Sequence, residues 1–178
     1  RAMYRVKQQG RNGFHVFDAA TDEDGVLQVE VELQQALVRG EFTLVYQPML
    51  SLEDGRLLGF EALLRWEHPR RGTLLPGDFL GTAERLGLMG RLGAWVLDTD
   101  CARLAAWSAD PAMLGSGVLG MAVNVSGSQL RTRGFAEQVR ATLAAHGLAP
   151  HLLRLEISER DLVHESRHLE ATLRELSE

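Results

Sequence analysis

The chain carries little that could cross-link it, hold it in a membrane or draw it to nucleic acid. Its one cysteine, Cys101, excludes an intrachain disulfide and cannot build a thiolate metal cluster alone, which matches a reducing, cytoplasmic setting. No apolar run approaches the ~20 residues of a membrane-spanning helix. The first residues, Arg1 to Gly10, are basic and polar with no signal-peptide core. The net charge is −5 and no lysine- or arginine-dense block occurs. DNA, RNA and an anionic membrane surface are therefore not expected partners, and any nucleotide must be held by local contacts. What is present is a 45% share of hydrophobic residues, enough to bury a real core.

Punctuation divides the chain. Ala2 to Gln9 reads as the end of a helix stopped by Gly10, followed by a short strand, Phe14 to Phe17. The polar, acidic stretch Asp18 to Gly25 reads as an interdomain linker, placing residues 1–24 apart from residues 25–178. Beyond it, Val29, Leu33, Ala36 and Leu37 recur at helical spacing before Gly40. Phe42 to Met49 and Leu57 to Trp66 read as strands paired antiparallel about the turn Glu53-Asp54-Gly55. Pro76 opens a helix with Phe79, Ala83 and Leu86 on one face, closed by Gly87; the next helix buries Leu97, Cys101, Leu104 and Ala105 and runs to about Trp107. Val118 to Val125 and Leu152 to Ile157 are apolar strands separated by a helix through Phe135, Val139 and Leu143, and a last helix carries Leu169, Leu173 and Leu176. Strands alternating with helices after one antiparallel pair predict an α/β fold, a partial TIM-like (βα) barrel in preference to an open parallel sheet. A closed barrel needs eight strands; four candidates follow the linker, so the barrel is expected to be incomplete at the C-terminus.

Three of these strands deliver an oxygen-bearing side chain at or near their C-terminal ends: Glu61, Asn124 and Glu156. In a barrel those ends form the active-site face, and oxygen donors converging there suit a hard cation such as Mg²⁺ or Mn²⁺ rather than zinc. Any one such residue alone is more often a salt bridge or a helix cap. Period-two alternation puts Glu61, Leu63 and Arg65 on one face of their strand and Phe60, Ala62, Leu64 and Trp66 on the other. Glu61 and Arg65 stand ~13 Å apart along an extended strand, too far for easy pairing, so separate tasks are expected, and the planar guanidinium of Arg65 suits a phosphodiester oxygen.

The segment Phe60-Glu61-Ala62-Leu63-Leu64-Arg65-Trp66 resembles the signature that names the EAL family. Tyr46-Gln47-Pro48 precedes it; His68-Pro69, Gly72, Pro76, Phe79, Ala83-Glu84, Asn124-Val125-Ser126 and Glu156-Ile157-Ser158-Glu159 follow in the family's order. The resemblance covers Val29 to Glu178. It implies a cation-dependent hydrolase opening cyclic di-GMP to linear pGpG on a barrel with an antiparallel first strand. Glu61, Asn124 and Glu156 would be metal ligands for two Mg²⁺ or Mn²⁺ ions, Gln47, Leu63 and Arg65 would contact the dinucleotide, and Glu159 would anchor a mobile loop. The family's paired aspartates and active-site lysine correspond to positions beyond Glu178, so this segment alone is expected to be inactive. Upstream, Arg1-Ala2-Met3-Tyr4-Arg5-Val6-Lys7 with Gly10-Arg11-Asn12 resembles the closing helix and turn of a GGDEF domain.

The chain departs from the family pattern at Leu80-Gly81-Thr82 after Phe79, at Ser158 and at Arg160. A degenerate EAL domain would be a cyclic di-GMP receptor or a protein-interaction module instead of an enzyme; Glu61 and Asn124, often lost in such domains, are both present. Unpaired strand edges also make a homodimer an allowed assembly. His164 and His168, four apart on a predicted helix, lack a third metal ligand, and Trp66, Trp95 and Trp107 are expected in the core rather than against a base.

Overall fold

In this computed structural model the described residues are 19–110, 113, 120–158 and 167–177. The first helix, α1 (Ala19–Arg39), buries Val29, Leu33 and Ala36, the stripe that the helical spacing predicts. It starts earlier than expected. Among the described residues the stretch read as an interdomain linker is helical from Ala19 onward, and the one interior glycine, Gly25, costs such a helix only about 1 kcal/mol. The expectations for residues 1–18 lie outside the described residues.

Strands β1 (Phe42–Leu50) and β2 (Leu57–His68) pair antiparallel, with Gln47 opposite Glu61. A third strand, β3 (Gly72–Leu74), absent from the sequence reading, folds back on Trp66 to His68 of β2. The strand β4 (Gly120–Val125) runs parallel to β2 along Gly59 to Ala62, and β5 (Leu153–Ile157) runs parallel to β4, giving the order β1-β2-β4-β5. Thus β2 is long enough for β3 and β4 to use successive parts of it. The β2–β4 junction requires glycine. Gly59 has φ 155°, and a Cβ there would lie 2.0 Å from the carbonyl oxygen of Gly120.

Helices α2 (Pro76–Arg85), α3 (Met89–Ser108), α4 (Gly127–Leu130), α5 (Phe135–Ala145) and α6 (Arg167–Ser177) complete the described elements, with a 3-10 turn at Pro150–Leu152. Pro76 opens α2 at its first position, and the Asp78 carboxylate accepts the Leu75 N–H at 3.0 Å. The main core lies between the sheet and α3 to α6: Ala62, Met121, Val123 and Val125 from the strands meet Leu97, Leu104, Val139 and Leu169. Each fully buried large side chain there contributes roughly 1.5–3 kcal/mol relative to exposure.

A second cluster locks α1 and α2 onto the far end of β2 through Leu33, Phe42, Trp66, Phe79 and Ala83. Trp66 is fully buried and its indole N–H donates to Glu41 at 3.0 Å. His68, also buried, meets the Glu32 carboxylate of α1 through Nε2 at 2.7 Å, while its Nδ1 accepts the backbone N–H groups of Arg70 and Arg71 at 3.1 and 3.3 Å. With Nδ1 accepting, the ring proton sits on Nε2 and points at Glu32. The Arg70 guanidinium pairs with the same carboxylate.

Candidate functional site

The helices cover one sheet face, so the alternate residues of each strand face the other way. On that opposite face Gln47 of β1 stands across from Glu61 of β2, and Asn124 of β4 stands beside Glu156 of β5. The two pairs are joined: the Asn124 amide Nδ2 donates to Glu61 Oε1 at 2.8 Å. Asn124 is exposed, whereas Glu61 and Glu156 are half-buried. Among the described residues no other side-chain hydrogen bond or ion pair engages these three. Asn124 Oδ1, the second oxygen of Glu61 and both oxygens of Glu156 remain open to an incoming group.

Glu61, Leu63, Asn124, Glu156, Ser126 and Ser158 border one cavity of about 450 Å³, whose far wall is apolar and includes Pro76 and Leu80 of α2 and Met89 and Val96 of α3. A cavity of this size with few polar groups at one end is the ordinary form of a small-ligand site. Arg65, half-buried, lies further along β2; its Nη1 donates to the Leu64 carbonyl at 2.8 Å, and among the described residues it forms no ion pair. Gln47 and Arg65 do not border the cavity; both lie on the strand pair beside it. Glu159 and His164 lie outside the described residues. Trp66 belongs to the core, Trp95 packs 6.1 Å from Phe42, and Trp107 packs on Tyr46 and Phe60.

The donor set is two carboxylates and one carboxamide on three adjacent strands. It offers hard oxygen ligands and no soft ones, the chemistry that suits Mg²⁺ or Mn²⁺. Among the described residues no three His, Cys, Asp or Glu side chains converge, so a three-ligand set drawn from those residues needs the carboxamide.

One supporting device escaped the sequence reading. The chain leaves β4 through a capping box, in which Ser126 Oγ accepts the Gln129 N–H at 3.3 Å and Gln129 Oε1 accepts the Ser126 N–H at 3.0 Å. This fixes the turn two residues after Asn124. The Ser126-x-x-Gln129 spacing carried the signal. The Gln129 amide lies against Gly93 of α3, where a Cβ would stand 1.9 Å from its nitrogen and oblige the end of that side chain to shift.

An α/β domain with a mixed sheet and an oxygen-rich cluster on three neighbouring strands is thus defined. The EAL domain family model matches residues 30–178, and the chain belongs to that family. The bifunctional diguanylate cyclase/cyclic di-GMP phosphodiesterase MucR of Pseudomonas aeruginosa is 40% identical over 160 residues, 89% of this chain and 23% of MucR. The structure of PaMucR phosphodiesterase in complex with cyclic di-GMP matches with a TM-score of 0.76 at 38% identity, over 84% of this chain and 59% of that one. The FimX EAL domain of Pseudomonas aeruginosa bound to cyclic di-GMP matches with a TM-score of 0.65 at 28% identity, over 84% of this chain and 54% of that one. The chain therefore spans less than two thirds of each. Among the described residues no helix is long and apolar enough to cross a membrane.

Proposed function

We propose that this domain, continued through the remaining strands of such a barrel, hydrolyses cyclic di-GMP to pGpG. The observation that carries the reading is the joining of Glu61, Asn124 and Glu156 at one rim, through the 2.8 Å Asn124–Glu61 bond and the Asn124–Glu156 strand register. The likeness to a phosphodiesterase solved with cyclic di-GMP supports the same substrate class. Glu61, Asn124 and Glu156 would hold Mg²⁺ or Mn²⁺, with the half-buried carboxylates supplying charge and Asn124 a neutral oxygen. When bound, such ions supply Lewis acidity and lower the pKa of a water near the phosphodiester. Arg65 offers two parallel N–H donors to a phosphate oxygen, Gln47 a carboxamide edge, and Leu63 an apolar contact for a base. Glu159 is assigned the anchoring of a mobile loop beyond the strand that would follow β5. The upstream residues are assigned to the end of a GGDEF domain.

Chromatography of cyclic di-GMP incubated with the full-length protein and Mg²⁺ or Mn²⁺ tests this reading. Release of pGpG that disappears in Glu61→Ala supports it. Binding without pGpG would select the receptor function instead, and neither binding nor cleavage would remove cyclic di-GMP from the account.

A further inference from the structure

Asn124 is the middle donor of the cluster, between Glu61 on β2 and Glu156 on β5, and its strand is held unevenly there. The register of β4 with β2 ends at Val123, opposite Ala62, whereas its register with β5 continues through Asn124 and Val125. The end of β4 that carries Asn124 thus has a register partner on the β5 side only. Its one side-chain link toward β2 among the described residues is the 2.8 Å bond from Nδ2 to Glu61. An exposed amide on a strand end of this kind keeps one orientation only if the chain beyond it is held.

The chain beyond it is held by a closed set of side-chain bonds. Gln129 Oε1 accepts the Ser126 N–H at 3.0 Å and the Ser126 hydroxyl at 2.9 Å, while Ser126 Oγ accepts the Gln129 N–H at 3.3 Å. The Ser128 hydroxyl lies 2.9 Å from Ser126 Oγ. With the Ser126 proton given to Gln129, Ser128 is the donor of that pair, so the one proton and both lone pairs of Ser126 are used. The backbone N–H groups of Gln129 and Leu130 also converge on the Ser126 carbonyl, at 3.1 and 3.2 Å. The turn cannot drift as a unit, because Leu130 is fully buried in the main core and Gln129 is only 7% exposed, its amide lying against Gly93 of α3. Burying a carboxamide is unfavourable unless its polar atoms find partners, and here the partner that Oε1 finds is the backbone two residues after Asn124.

We infer that Gln129 is a positioning residue: by tying the Ser126 backbone to α4 and the core, it supplies the restraint that β4 lacks on its β2 side. It thereby holds Asn124 with Nδ2 on Glu61 and Oδ1 open between the two carboxylates. Without that restraint the end of β4 is free to swing with β5, and the central oxygen of the set moves away from Glu61. The consequence for a divalent ion rests on the metal reading given under the proposed function; the hold on Asn124 does not.

The test follows solvent exchange of the Asn124 side-chain amide protons by NMR in the metal-free, full-length protein, the resonance being identified by its loss in Asn124→Ala. Mn²⁺ affinity is measured on the same samples. Gln129→Met keeps the length of the side chain and removes its oxygen; exchange should quicken about fivefold, the factor set by loss of a cap of ordinary strength, and Mn²⁺ binding should weaken by a similar factor. Gln129→Glu retains an acceptor oxygen for the Ser126 N–H and should return exchange to within about twofold of wild type. A merely structural role would lower the urea midpoint of Gln129→Met and leave Asn124 exchange at the wild-type rate, which overturns the inference. Exchange in Gln129→Glu as fast as in Gln129→Met overturns it equally. If Gln129→Met does not fold, Ser126→Ala decides, and an unchanged exchange rate there overturns it. Faster exchange in Gln129→Met where the wild type binds no Mn²⁺ upholds the hold on Asn124 and removes the metal assignment. Mn²⁺ binding by wild type that Gln129→Met leaves unchanged keeps the metal assignment and overturns the part given to Gln129.

Discussion

Gly59→Ala puts one methyl group where β2 and β4 approach most closely. Its carbon would lie 2.0 Å from the Gly120 oxygen and 2.7 Å from the Gly120 carbonyl carbon and nitrogen, against ordinary contact from 3.4 Å. All three obstructing atoms are backbone, so no side chain can swing away and the strands must part by about 1.4 Å. Gly59 and Gly120 are register partners, and Glu61 follows only two residues along β2. A parting of that size would stretch the 2.8 Å Asn124–Glu61 bond to about 4 Å, beyond hydrogen-bond reach. Overpacking costs about 1–3 kcal/mol and a φ of 155° imposes a similar penalty on alanine, so a loss of roughly 2–6 kcal/mol is expected. Urea unfolding with an unchanged m-value measures it. Gly81→Ala on α2, where nothing lies within 4 Å, is the control and should be neutral or stabilise by up to about 1 kcal/mol. A Gly59→Ala protein within about 1 kcal/mol of wild type, with ligand affinity intact, refutes the claim that this contact sets the rim.

Two predictions concern protons. Burial pushes the folded carboxyl of Asp100, on α3, up to about 7 from its ordinary 3.8, so the native state keeps a proton that the unfolded chain releases. Stability should then fall as pH rises from about 4 to 7 and level off above; from pH 5 to pH 8 wild type should lose about 2–3 kcal/mol more than Asp100→Asn, read from urea midpoints. Burial pushes Glu32 up, but its hydrogen bond to His68 and the charge of Arg70 leave it below the ordinary 4.5. Its contribution is thus present above the unfolded value and is lost as pH falls through the folded one. Glu32→Gln should cost about 1–3 kcal/mol at pH 7, a difference that thermal melts should show shrinking below pH 4.5.

The parts of the fold legible in sequence were those with a clean period. Val29, Leu33 and Ala36 marked α1, Phe79 and Ala83 marked α2, and the alternation around Glu61 placed it, Leu63 and Arg65 on one face. The Glu53-Asp54-Gly55 turn set the β1–β2 pairing. What escaped depends on contacts distant in sequence. β3 is three residues long, too short for any period to register, and is held by the overhanging end of β2. The pairing of Gly59 with Gly120 spans the whole of α2 and α3. Asp100 did carry a local signal, sitting three residues after Leu97 on the stripe read as apolar, but only the packing of α3 shows it fully buried with neither oxygen hydrogen-bonded among the described residues. For the rim, Asn124 and Glu156 were readable near the ends of β4 and β5; Glu61 was expected near a strand end but stands inside the longer β2, Leu57–His68, and the Asn124–Glu61 bond that joins the strands was not legible.

Under the proposed function, oxygen donors from three neighbouring strands would together hold a divalent ion. Titration of Mn²⁺ into the full-length protein, following the free ion by electron paramagnetic resonance, tests it most directly. The account predicts saturable binding that weakens at least about tenfold in each of Glu61→Gln, Asn124→Ala and Glu156→Gln, with Arg65→Lys unaffected. Equal Mn²⁺ affinity in wild type and all three rim variants would contradict it.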